Sequence, residues 1–135
     1  MSCLFCSIAA GTTPAGIVWR GQGALAFLDH RPLFPGHVLL IPDHHVETLA
    51  DLPAAHVGAF FEAVQKLERA VEAALEAEGT FIAINNRISQ SVPHLHVHIV
   101  PRRKGDGLKG FFWPRQKYES QDQIGKVAEK IRRRL

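Results

Sequence analysis

Cysteine is nearly absent: Cys3 and Cys6 are the only two in 135 residues. A pair this sparse is no disulfide framework, which excludes the small secreted scaffolds stapled by bridges. Long apolar runs are missing too. No stretch approaches the ~20 consecutive apolar residues of a membrane span, so no membrane partner is expected. The opening MSCLFCSIAAGTTP lacks a positively charged start, and Ser7 breaks its short apolar stretch. No secretory signal is expected there, and the cytoplasm is the expected location. Neither sign of charge dominates: 16 Lys and Arg stand against 13 Asp and Glu, for a net charge of +3. The basic clusters at 102–104 and 132–134 lack the interleaved aromatics of a nucleic-acid stripe, so nucleic acid is not an expected partner. The terminal cluster reads as solvated charge placed favourably at a helix C-terminus. A mildly basic balance also suits an anionic ligand such as phosphate. No repeat, low-complexity tract or linker interrupts the chain. One compact domain over residues 1–135 is expected.

What is present is an orderly run of short apolar segments. Ile17-Trp19, Ala24-Asp29 and His37-Pro42 have β-branched character, and Gly and Pro separate them. They predict a meander of antiparallel strands. From Pro53 to about Glu78, Phe60, Val64, Leu67, Val71 and Leu75 recur at spacings of three and four. That stripe predicts a long amphipathic helix, with Pro53 in its first turn and Gly79 at its end. Phe81-Asn86 and His94-Pro101 predict a fourth and a fifth strand, and Gln121 to Arg134 a last helix with Ile124, Val127, Ala128 and Ile131 on one side.

His94, His96 and His98 take alternate positions in SVPHLHVHIVPR. On a strand such residues share one face, while Leu95, Val97 and Ile99 share the other and bury against the long helix. Three imidazoles in a row suit two kinds of chemistry. His-x-His on a strand presents metal ligands. A neutral imidazole is also a nucleophile whose neighbours orient it and handle protons or charge. Spacing alone does not choose between them.

His94-Leu95-His96-Val97-His98-Ile99-Val100 resembles the signature of the histidine triad family, in which histidine and apolar residues alternate. CLFCSIAAG at 3–11, ALAFLDHRPLFPGHVLLIP at 24–42 and QSVPHLHVHIVPR at 90–102 resemble the same family in order and spacing. The resemblance implies an α+β fold: an antiparallel sheet of about five strands, one long helix and a C-terminal helix. It also implies a homodimer with a continuous ten-stranded sheet. The implied reaction is attack on the α-phosphorus of a purine nucleotide, such as a phosphoramidate, an aminoacyl-adenylate or a dinucleoside polyphosphate. His96 takes the nucleophile's position and forms a covalent nucleotidyl intermediate that water then displaces. His98 takes the position that contacts the phosphate, and Ser91 that of a hydroxyl near the phosphate or leaving group. Asp29 matches an acidic residue that binds the ribose hydroxyls. Phe27, Leu28 and His30 fall near the base, Gln90 matches a neighbouring glutamine, and His37 an orienting histidine. A nucleotide-binding sensor with little turnover, and a metal-dependent hydrolase using all three histidines, are the competing expectations.

The Cys-x-x-Cys pair precedes every predicted strand, which disfavours a thioredoxin-type redox motif. Two cysteines alone do not complete a zinc site. The resemblance implies the rest: a branch of the family binds zinc through positions equivalent to Cys3, Cys6, His45 and His94. That assignment gives His94 to a structural metal and leaves His96 and His98 to the phosphate. The sequence departs from the family between Asn85 and Gln90, where the segment is shorter and has no glycine. Asn86 is the expected phosphate-side asparagine, and Arg87 a surface residue or a phosphate partner. Trp113-Pro114 resembles an element that other members place near the active site across the dimer.

Overall fold

A computed structural model describes residues 2–109 and 115–135. Trp113-Pro114 lies outside the described residues. Helix α1 (Leu4–Ala9) comes first, then strands β1 (Ile17–Gly21), β2 (Ala24–Leu28) and β3 (Val38–Pro42). A 3-10 turn (Leu49–Asp51) leads into helix α2 (Ala54–Leu75). Strands β4 (Gly79–Ile84) and β5 (Val97–Arg102) and helix α3 (Gln121–Arg132) complete the order. The five strands form one antiparallel sheet in the order β1-β2-β3-β5-β4.

The core has two layers, one on each side of the sheet. On one side Ala26, Val38, Leu40, Leu95, Val97 and Ile99 pack with Phe60, Ala63, Val64, Leu67 and Val71 of α2. On the other, Leu25, Phe27, Leu39 and Ile41 pack with Phe5 and Ile8 of α1. Both faces of β2 and β3 are therefore buried, which explains why ALAFL and VLLIP read as continuous apolar runs.

Three boundaries differ from expectation. Helix α2 ends at Leu75, because Glu76 turns left-handed at φ 51°. The Arg103 guanidinium reaches the Leu75 carbonyl, so a cation satisfies the helix end. Gly79 consequently opens β4 instead of capping α2. Strand β5 begins at Val97, not His94. Its ladder to β3 starts at Leu40↔Val97, and the Pro42 carbonyl beyond that point is taken by the His94 ring at 2.9 Å. The alternation survives this change, since Leu95 joins Val97 and Ile99 in the α2 layer. Helix α1 had no counterpart in the sequence reading. Six residues are too few to show a periodic stripe.

Gly36 sits in the β2–β3 connection at φ +97°, and a Cβ there would lie 2.8 Å from Leu75 Cγ. Gly36→Ala combines left-handed strain with a clash against a packed side chain. It is expected to cost about 2–3 kcal/mol of stability, read as a lower denaturant midpoint at unchanged slope.

Candidate active site and metal centre

The β2–β3 connection builds one wall of the site. The Asp29 N–H donates to the His37 carbonyl at 2.9 Å, closing the loop. One Asp29 carboxylate oxygen accepts the Arg31 N–H at 2.9 Å, and the other lies 3.8 Å from His37 Nε2. The Leu33 N–H donates to His37 Nδ1 at 3.1 Å. His37 must therefore carry its proton on Nε2, which lies 3.0 Å from His98 Nδ1. That proton fixes His98 in turn: Nδ1 accepts, and an Nε2–H remains for the cavity. His37 thus donates to His98.

His96 is fixed by one bond. Its Nδ1 lies 2.8 Å from the His94 carbonyl oxygen. A carbonyl only accepts, so Nδ1 carries the proton and Nε2 keeps a lone pair. Burial lowers the pKa of His96 below the ordinary imidazole value, against the opposing pull of the His94 carbonyl and Asp29. His98 is lowered to about 4, first by burial and then by His96 and His37 beside it. Both rings are neutral at physiological pH.

These groups open onto a cavity of about 630 Å³. Asp29, His30, Ser91, His96 and His98 supply polar groups to its lining; Phe27, Leu28, Leu39 and Val92 supply apolar ones. Leu4, Phe5 and Ile8 of α1 line it as well, and these three were missed in the sequence. No periodic signal marked them, since a six-residue helix is too short to show one. The imidazole row is consequently roofed, not open on a polar face: His94 is 0% and His96 2% exposed. Among the described residues, no lysine or arginine lines the cavity.

Asn86 and Gln90 are not among the lining residues. The Asn86 side-chain oxygen accepts the Leu49 N–H at 3.0 Å. Gln90 accepts from the Arg87 N–H and donates to the Glu47 carbonyl, both at 2.7 Å. Both side chains tie the loop to the segment before α2. The missing glycines of this loop have a counterpart in its backbone, since Arg87 and Ser89 take φ 69° and 60°. Arg87 acts on Asp51, whose carboxyl is held below its usual range chiefly by bonds from Thr48, with Arg87 adding to them.

A second cluster lies behind the row. Cys3, Cys6, His45 and His94 bring one ligand atom each within 4.8 Å of one another. His94 Nδ1 is 3.4 Å from Cys3 Sγ and 3.5 Å from Cys6 Sγ, and His45 Nδ1 is 3.3 Å from Cys6 Sγ. Zinc with bonds of about 2.3 Å to sulfur and 2.05 Å to nitrogen has S···N edges of about 3.5 Å. The donors fit. The Nε2–H of His94 donates to the Pro42 carbonyl, which leaves Nδ1 as the lone pair and supplies the outer hydrogen bond that metal-bound histidines use. Burial, then the neighbouring Cys3 sulfur, raise the Cys6 thiol, so a dication is what would hold Cys6 as a thiolate. His44 stands apart, its ring 5.2 Å from that of His56.

Asp29, His37 and His98 also converge closely enough for a metal. Their protons argue otherwise. Metal on His37 Nε2 would force the proton onto Nδ1, against the Leu33 N–H that already donates there. Within this trio His37 and His98 are hydrogen-bonded to each other, and the Asp29 carboxylate stands beside them at 3.8 Å.

The HIT domain family matches residues 10–105 of the chain. The chain belongs to the HIT domain family. Adenosine 5'-monophosphoramidase HNT1 of Candida albicans is 32% identical over 140 residues, 99% of this chain and 91% of that protein. The crystal structure of a HIT family member from Bacillus subtilis superposes with a TM-score of 0.91 at 32% identity, covering 100% and 98% of the two chains. A Zn-bound histidine triad protein from Mycobacterium smegmatis superposes with a TM-score of 0.75 at 35% identity, covering 96% and 98%.

The neutral imidazoles of this HIT domain set a pH dependence of stability. The unfolded His98 takes up a proton near pH 6.5, whereas the folded one does so only near 4. In that window the unfolded chain binds more protons, so stability falls as pH falls. The loss by pH 4 is roughly 3 kcal/mol from His98. Thermal midpoints are expected to be flat from about pH 7 to 8 and to decline below 6.5, with His98→Asn removing part of the slope.

Proposed function

We propose that the whole chain, residues 1–135, is a single HIT domain that hydrolyses or transfers nucleotides by attack on their α-phosphorus. One observation carries the reading: a buried, neutral His96 with Nδ1–H held by the His94 carbonyl and Nε2 left as a lone pair in the cavity. Anionic phosphate oxygens repel an anionic nucleophile, so an uncharged ring is suited to this attack. As Nε2 bonds to phosphorus, the bond from phosphorus to the leaving amine breaks and the amine departs with a proton taken from solvent; the His96 ring becomes cationic, and the His94 carbonyl stabilises it. The His98 Nε2–H donates to a phosphate oxygen as charge shifts there. Ser91 stands at the leaving-group side, and water then displaces the nucleotide from His96. Asp29 receives the ribose hydroxyls. Phe27 and Leu28 hold a purine by apolar contact, with His30 at the rim. Asn86 and Gln90 act on the nucleotide indirectly, through the loop they hold.

The lining favours one substrate type. With Asp29 present and, among the described residues, no lysine or arginine in the lining, a polyphosphate chain meets no fixed cation there. A nucleoside monophosphate joined to an uncharged group, such as an amine, places a single negative charge in the site. Zinc on Cys3, Cys6, His45 and His94 acts structurally, since four protein ligands leave no open position. A second copy joins along β4, the edge strand without the irregularity that β1 shows between Ile17 and Trp19. That pairing makes a continuous ten-stranded sheet. The cytoplasm is the proposed location.

Purified protein is expected to turn over adenosine phosphoramidate with a higher kcat/KM than diadenosine tetraphosphate. Failure to turn over either, while AMP still binds, would replace the enzyme by a nucleotide-binding module.

A further inference from the structure

Helix α1 has two working sides. On one, Cys3 and Cys6 turn their sulfurs to His94. On the other, Leu4, Phe5 and Ile8 wall the cavity. Phe5 joins the two. Its ring stands edge-on to His94 at 6.0 Å, to His96 at 5.1 Å and to Phe27 at 5.3 Å. A six-residue helix does not hold itself together in water, because nucleation is unfavourable and few backbone bonds follow it. The position of Phe5 therefore depends on what anchors α1 at either side. Among the described residues His96 has one polar tether, the bond to the His94 carbonyl. A single bond at Nδ1 does not fix rotation of the ring about that axis; its ring neighbours do, Phe5 at 5.1 Å on the α1 side and His98 at 5.0 Å.

We propose that Phe5 is a positioning residue for His96, and that a metal at the Cys3, Cys6, His45 and His94 cluster couples to nucleotide binding through α1. The kinetic half of this inference rests on the reading of His96 as nucleophile; the binding half does not. Because both ligands favour the same docked α1, each strengthens the other by one and the same factor. Loss of the metal frees the cavity roof, and loss of nucleotide removes the apolar contacts that press the cysteines toward His94.

The test is a calorimetric titration of AMP into the full chain, zinc-loaded and chelator-stripped. Stripping is expected to weaken AMP about tenfold, and saturating AMP to tighten zinc by the same factor. Equal AMP affinity in the two forms, with far-UV dichroism showing both folded, overturns the coupling. Should the stripped chain unfold, the zinc-loaded Phe5→Leu variant decides. It keeps an apolar wall and one zinc per chain, and its rate of His96 adduct formation is expected to drop about 100-fold while AMP affinity changes much less. An unchanged adduct rate in Phe5→Leu overturns the positioning role. Absence of any adduct in the unaltered chain sinks the nucleotidyl-histidine reading instead, and leaves the AMP–zinc linkage to be judged on its own titration.

Discussion

His96→Ala is expected to lower phosphoramidate turnover by about 10⁴-fold or more, the scale on which removing a covalent nucleophile acts. The variant should still bind AMP, because Asp29, Phe27 and Leu28, the residues proposed to hold ribose and base, line the cavity and are left alone. Mass spectrometry of the unaltered chain, quenched during turnover of adenosine phosphoramidate, should show one AMP-sized adduct, on the peptide carrying His96. His98→Ala should slow adduct formation without abolishing it, since in the proposed mechanism His98 donates to the phosphate and does not attack. The pair also separates the metal-dependent alternative. In that scheme a chelator and His96→Ala would be equally damaging from the first minutes. In the present one a folded, freshly stripped protein still forms the adduct. An adduct on any residue other than His96, or full activity in His96→Ala, would end the assignment.

Metal removal is expected to have the largest effect on stability. Ligand that binds only the folded state contributes RT ln(1 + [L]/Kd), about 4 kcal/mol at a thousandfold excess over Kd. For a chain of this size, stripping zinc is therefore expected to lower the thermal midpoint by roughly 10–20 °C. Cys6→Ser should do the same and should bring metal content below one per chain. The cause is local. The cluster joins α1, the segment before α2 and the approach to β5, through Cys3 and Cys6, His45, and His94 respectively. Its release unties three segments distant in sequence. Elemental analysis giving no zinc in protein purified without chelator, with a midpoint indifferent to added zinc, would remove the cofactor from the scheme.

The two experiments test different parts of the triad, and the proton inventory explains why one motif serves both. His94 uses Nε2–H on the Pro42 carbonyl and turns Nδ1 toward the sulfurs. His96 uses Nδ1–H on the His94 carbonyl and turns Nε2 toward the cavity. His98 receives on Nδ1 from His37. Three identical side chains at alternate positions thus present three different faces, each chosen by the backbone or ring that binds the opposite nitrogen.

Much of this was legible in the chain. Alternation from His94 to Val100 assigned one face to imidazoles and one to the α2 layer, and Leu95, Val97 and Ile99 do lie in that layer. The stripe from Phe60 to Val71 fixed α2 because packing residues must recur with the helical period. The start of β5 was misplaced because alternation continues through His94–His96, while ladder pairing requires a partner strand that ends at Pro42. Helix α1 was overlooked because its six residues carry no period, and with it went Leu4, Phe5 and Ile8 as part of the site. From resemblance alone Asn86 was expected on the phosphate side and Gln90 among the nucleotide-binding residues; their bonds run to Leu49, Arg87 and Glu47.

Residue order by itself determined which side chains share a face, because that follows from backbone periodicity and local geometry. It determined the donor types available, two thiols and a set of imidazoles. Only the tertiary structure decided which nitrogen of each ring is free, whether Cys3 and Cys6 meet His45 and His94, and that a short helix roofs the imidazole row. Those outcomes depend on contacts between segments far apart in the chain, where hydrogen-bond partners and burial are set by the packing of the whole sheet and not by any local pattern.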